Sequence, residues 1–386
     1  MVCSYFLSLA ACTEPFPIAT IEFDEILVVE SNLTDVMKRQ EVRLSRTIPL
    51  ESFGLDVVNN ANVTIEDNNG NVYAFSLDAD TQTYLSDIEF QAEQNTQYTL
   101  KISTSDGRDY ISKAVETPPK APIERVYAEL VSEAGKEGVQ VFIDSDDAMG
   151  GAKYFRYEYE ETYKVQLPAN AKFDWEITNY SDFTQFGTLV LTPRDWTEEE
   201  FCYPTNGTEG IIQTSTSELD ENKVVRFPIR FIDKGNPALR RRYSILVKQY
   251  VQNLEAHTFY QTLEDLGNVE SLLSQGQPGF VKGNIVSETD TDEKVLGYFG
   301  ASSVSSQRIF FDYLDFGFEL PPYSVECEWI NSREVRFQEL RRLLLFENYQ
   351  VYFTEDIVEG PHLLTQSECS NCDAYTTHIK PDFWDE

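Results

Sequence analysis

No stretch of 18 apolar residues occurs in this 386-residue chain, so no helix can be expected to cross a membrane. Basic residues are scarce: 31 Lys and Arg stand against 65 Asp and Glu, a formal net charge of −34. Such a surface repels phosphate backbones and anionic headgroups, which argues against nucleic acid and anionic lipid as partners. Histidine is rarer still, limited to His257, His362 and His378. No HExxH, GxSxG, Walker-type phosphate loop or dinucleotide glycine pattern is present. The expectation is therefore no catalytic residue, no metal site and no cofactor. Carboxylate pairs are inevitable among 65 acidic residues, so spacing can neither argue nor exclude a glycosidase pair. Internal repeats and low-complexity segments are lacking as well.

What is present is aromatic. The chain holds 25 Phe, 21 Tyr and 4 Trp, too many for a disordered acidic protein. Together with abundant Val, Ile and Thr they point to strands. Near the start, Leu9-Ala10-Ala11-Cys12 closes a short apolar stretch with two small residues and a cysteine. This is the pattern of a bacterial lipoprotein signal, in which the thiol is acylated and the peptide before it removed. Residues 1–11 read as the signal peptide, although no Lys or Arg precedes the apolar core, and Cys12 as the lipidation site. Residues 12–23, with Pro15 and Pro17, read as a lipidated tether that cannot be helical. With Cys3 removed and Cys12 acylated, Cys202, Cys327, Cys369 and Cys372 remain as disulfide candidates. Four cysteines allow three connectivities; a local Cys369–Cys372 loop with Cys202–Cys327 is the first choice.

Residues 24–117 read as an immunoglobulin-like β-sandwich of about six short strands. Ala61, Val63 and Ile65, then Tyr73, Phe75 and Leu77, alternate around Asp67-Asn68-Asn69-Gly70, a strong hairpin signal. Residues 118–122 form a Pro-rich linker. Residues 123–386 read as a larger β-rich, sandwich-like domain with a helical insertion near 253–274. There Asn253 can cap a helix whose Ala256, Phe259, Leu263 and Leu266 recur at helical spacing, with a further turn through Leu272 and Leu273. Segments 295–301 and 308–313 read as two separate strands, and 332–346 as either helix or buried strand.

Candidate binding residues are few. Trp175, Trp196 and Trp329 fall in segments read as loops or insertions, where they can stack on a sugar, anchor an interface or cap a core. Arg240-Arg241-Arg242, with Arg333, Arg336, Arg341 and Arg342, reads first as a set of ion pairs and second as a docking patch. The runs Asp144-Ser145-Asp146-Asp147 and Asp290-Thr291-Asp292-Glu293 lack calcium-loop spacing and read as solvated turns.

Several segments resemble one family. EILVVESNLTD at 25–35, ANVTIEDNNGNVY at 61–73 and RRYSILVKQYVQNLEAHTFYQTLED at 241–265 are similar to it. GYFGASSV at 297–304 and the CxxC at 369–372 followed by Pro381-Asp382-Phe383-Trp384 are the more specific pieces. The family is the group of Bacteroidota outer-membrane lipoproteins gathered as domain of unknown function 4249. The resemblance implies a lipid-anchored protein of the outer membrane, facing the cell surface. It further implies a non-enzymatic accessory role beside a TonB-dependent β-barrel transporter in nutrient uptake, with the cargo unspecified. Two other readings stay open: a surface glycan or peptide hydrolase, and a structural or adhesive surface module.

Overall fold

The computed structural model describes residues 25–49, 52–133, 135–147, 150–169, 171–193, 201–267, 280–357, 360–372, 375 and 379–384. Cys12 and its tether, Trp196, His378 and the turn at Leu272 and Leu273 lie outside the described residues. The chain is mainly β, as expected, with two α-helices among the described residues: α1 (Leu254–Gly267) and α2 (Phe337–Phe346).

Alternation builds the first core. In the opening strand, Leu27–Thr34, residues Leu27, Val29 and Leu33 are buried while Glu30 between them is exposed. That strand pairs antiparallel with Glu41–Arg46. The sheet continues through Thr83–Ser86, Val72–Asp78, Asn62–Asp67, Gln97–Ser103 and Asp109–Ser112. The anticipated hairpin is the Asn62–Asp67/Val72–Asp78 pair, whose turn is held by the Asp67 carboxylate accepting from the Asn69 and Asn71 N–H groups.

This N-terminal sheet draws on distant sequence. Ile285–Ser287 pairs with Asp109–Ser112, and the start of Val295–Phe311 lies parallel to the opening strand from Leu27↔Val295 to Thr34↔Ser302. Ile285, Val295, Phe299 and Ala301 are buried in the same core as Leu27 and Val42. The strands read within 24–117 thus share their sheet and core with strands from beyond that span. A local pattern cannot show which distant strand covers an open sheet edge. The two strands anticipated at 295–301 and 308–313 are likewise one 17-residue strand. Its second half pairs antiparallel with Tyr243–Gln252, which pairs in turn with Tyr154–Tyr163. Among the described residues, fifteen strands thereby join into one continuous sheet spanning both parts of the chain.

The second core lies between this sheet and a three-stranded sheet of Ile123–Glu133, Lys136–Asp146 and Lys223–Asp233. The Pro-rich linker is seated on the shared sheet: the Pro119 carbonyl accepts from Ser303, and the Ala121 carbonyl from Gln249 and Ser305. A third, smaller core joins the hairpin Phe173–Ser181/Phe186–Pro193 to α2 and the strands Tyr349–Thr354 and His362–Gln366. The ambiguous 332–346 segment is thus helical from Phe337 onward, burying Leu340, Leu343 and Leu344 on one face.

The expected disulfide pairing is overturned. Cys202 bonds to Cys372, and Cys327 to Cys369. Cys369 ends a short 3₁₀ turn, Ser367–Cys369, and its neighbouring Cys372 packs instead with Val165, Leu167 and Cys202. The CxxC therefore clamps two separate segments rather than closing on itself. The tail ends with Trp384 buried against Tyr203 and Phe310, and with the Arg308 guanidinium 3.5 Å from the Phe383 ring centre.

Candidate functional site

Helix α1 roofs the place where the two parts of the chain share their sheet. Asn253 caps it as anticipated: its side chain accepts from the Ala256 N–H at 2.8 Å, and the Tyr298 hydroxyl donates to the same oxygen at 3.3 Å. Ala256 and Phe259 are buried against the sheet, with the Phe259 ring 5.4 Å from that of Tyr298. Between α1 and the strands Leu27–Thr34 and Glu41–Arg46 lies a groove of about 560 Å³. A second hollow of about 470 Å³ shares Arg43, Arg156, Glu158 and Tyr260 with it and adds Lys248.

The strand Tyr154–Tyr163 supplies the shared wall, and its alternation explains how. Phe155, Tyr157 and Tyr159 turn into the second core, each at most 5 % exposed. Arg156 and Glu158 consequently face the opposite way, into the groove. Arg156 stands opposite Tyr250 in the ladder. Its guanidinium lies 4.8 Å from the Tyr250 ring centre and 4.9 Å from that of Tyr260 on α1. Arg156 Nη1 also donates to Glu158 Oε1 at 2.6 Å, and the Tyr250 hydroxyl donates to Glu158 Oε2 at 2.8 Å.

Electrostatics follows from that packing. Burial alone pushes the Glu158 carboxyl upward, but the Arg156 charge and the Tyr250 hydroxyl hold it below its ordinary value. Burial, reinforced by Glu158, raises the Tyr250 hydroxyl, so it stays a donor. Burial works against the Arg156 charge, yet Tyr260, Glu158 and Tyr250 raise its affinity for the proton. On the roof, burial drives the Tyr298 hydroxyl up to about 12. A cation clamped between aromatic faces, beside an ionised carboxylate and an apolar roof, is equipped to recognise a ligand.

The residues singled out in the sequence lie elsewhere. Trp175 donates from Nε1 to Gln350 at 3.1 Å, and Trp329, half exposed, meets Tyr352 edge-on at 4.8 Å. Both therefore sit against the strand Tyr349–Thr354, away from the groove. Ion pairing accounts for Arg342, which bridges Glu339 and Glu347. It does not account for Arg240 and Arg341, whose guanidiniums stack on Tyr323 and Tyr180 at 3.7 and 4.3 Å. Arg241 bonds Gln166, and Arg333 the Gly360 carbonyl. The His257 ring lies tilted against Tyr154 at 5.1 Å, and burial lowers its proton affinity. His362 is buried with Nδ1 2.9 Å from the Thr354 hydroxyl, and burial lowers it as well. The Asp144 carboxylate is engaged by Arg125, Tyr127 and the Arg226 N–H, so it is buried rather than solvated as expected. Glu293 of the second acidic run accepts from Arg108 and Tyr110 at 2.8 Å each.

Arg156, Glu158, Tyr250 and Tyr260 were not anticipated as a site. Their signal was available in part: Arg156 and Glu158 interrupt an aromatic strand at period two. That Tyr260 closes over them depends on where α1 docks.

Comparison with known proteins places the chain against a family model. The family model described as a domain of unknown function, DUF4249, matches residues 13–308. All the groove residues named above fall within that span, whereas α2 and the Cys327–Cys369 bridge lie beyond it. No curated protein matches the chain.

Proposed function

The chain belongs to the DUF4249 family, and from that premise we propose that it is a lipid-anchored, non-enzymatic binding component of an uptake system in the outer membrane. It works beside a TonB-dependent β-barrel transporter and faces the cell surface. Its ligand is taken in the groove beneath α1. The observation that carries the binding role is the groove itself, about 560 Å³ with a Tyr-clamped arginine in its wall. The wall carboxylate Glu158 is engaged on both oxygens by Arg156 and Tyr250, which suits binding better than proton transfer. Acylation at Cys12 confines the body to the bilayer and turns its encounter with a barrel into a high-effective-concentration event.

The test is co-purification of the full chain from native membranes in mild detergent, with mass spectrometry of what accompanies it. A TonB-dependent barrel is expected with the wild-type chain and is lost with Cys12→Ala. Recovery of acylated chain without a barrel, under conditions that preserve known transporter complexes, contradicts the proposal.

A further inference from the structure

We infer that the groove beneath α1 binds a small carboxylate ligand with an apolar body, the carboxylate meeting Arg156 and the body lying under Phe259 and Leu263. The inference rests on the groove being the binding site and adds the chemical class of its occupant.

The donors decide the charge of the ligand. Arg156 has only 16 % of its side chain exposed, and its Nη1 is taken by Glu158. Among the described residues no acceptor takes its Nε or Nη2. Five N–H donors on a planar fork are matched geometrically by a carboxylate, and a neutral amide offers only one acceptor oxygen. Two of the groove's three carboxylates are already committed: Glu158 as above, and Glu41 to Lys38 and Arg43 at 3.3 and 4.0 Å. Glu30, the remaining one, is exposed on the opening strand. Beside Tyr250 and Tyr260 the unspent hydrogen-bonding capacity is thus that of the Arg156 donors, within a chain of net charge −34. The rings of Tyr250 and Tyr260, 4.8 and 4.9 Å away, and the bond to Glu158 already place the guanidinium, so little ordering is needed on binding.

The apolar half of the site comes from α1. Phe259 is 8 % exposed and Leu263 is half-buried, both facing the groove together with Tyr298. A cavity of about 560 Å³ suits a small molecule and not a folded domain.

The probes are 4-phenylbutyrate and its near-isosteric neutral amide, titrated calorimetrically into the full chain at neutral pH. The acid is expected to bind at least about tenfold more tightly than the amide, since a site built around charged donors rejects a neutral analogue. Arg156→Met is expected to bring the acid down to the level of the amide. Leu263→Trp, which fills the apolar end, is expected to weaken both probes about tenfold or more while leaving the Arg156 cluster in place. If Arg156→Met does not fold, Arg156→Lys replaces it and is expected to lose most of the preference for the acid, since it keeps a charge without the planar fork. Equal affinity for acid and amide overturns the inference and leaves the groove reading standing. Acid binding unchanged in Leu263→Trp, or no binding of either probe, overturns the groove reading with it.

Discussion

At the scale of single residues, Glu161 shows how a buried carboxylate is held by its partners. Glu161 is 5 % exposed in the second core. Arg230 reaches it from the facing sheet with two bonds, 3.0 and 3.2 Å, and the Tyr243 hydroxyl donates to it as well. Burial drives the Tyr243 hydroxyl far above its ordinary range, so it remains a donor. Arg230→Met strands the carboxylate and is expected to cost about 3–5 kcal/mol, measured by urea unfolding. Glu158 gives a pH prediction. Its proton affinity is lowered in the folded chain, so the native state binds fewer protons than the unfolded one. The stability it contributes is complete above the ordinary value of 4.5 and is lost as pH falls through the lower folded value. Urea midpoints of the wild type are expected to fall more steeply than those of Glu158→Gln below that point. At this scale the sequence was half legible. Period-two alternation puts Arg156 and Glu158 on one face, but the stacking of Tyr260 on Arg156 joins residues about a hundred positions apart.

Among elements, legibility followed contact distance along the chain. The hairpin around Asp67–Gly70 and the Asn253-capped helix are local structures, and both formed where alternation and capping placed them. The strand exchange that completes the N-terminal sheet, and the disulfide pairing, depend on segments far apart in sequence. Cys202–Cys372 spans 170 positions and Cys327–Cys369 spans 42. Loop-closure entropy values the shorter bridge at about 4 kcal/mol, so Cys327→Ser with Cys369→Ser is expected to lose up to that amount. Peptide mapping without reduction is expected to recover the 202–372 and 327–369 pairs; a 369–372 loop contradicts this structure. The parallel pairing rests on Gly297, which adopts φ +114. A Cβ there would stand 1.8 Å from the Val29 carbonyl oxygen. Gly297→Ala is therefore expected to cost about 3 kcal/mol or more, combining backbone strain with overpacking beside the groove.

Over the whole molecule, the long strand Val295–Phe311 is what makes two β-rich parts into one body with a groove at their junction. The overall β class was legible because aromatic and β-branched residues dominate; the junction was not, because it belongs to neither part alone. The functional account adds the tether. On the proposed reading, an acylated Cys12 would hold the groove at the membrane, so that encounter with a transporter would not depend on bulk collision. The most direct test is the intact mass and N-terminal residue of the chain extracted from fractionated cells. The account predicts membrane recovery of a polypeptide that begins at Cys12 and carries acyl mass. A polypeptide with an unmodified Cys12, recovered entirely in the aqueous fraction, would contradict it.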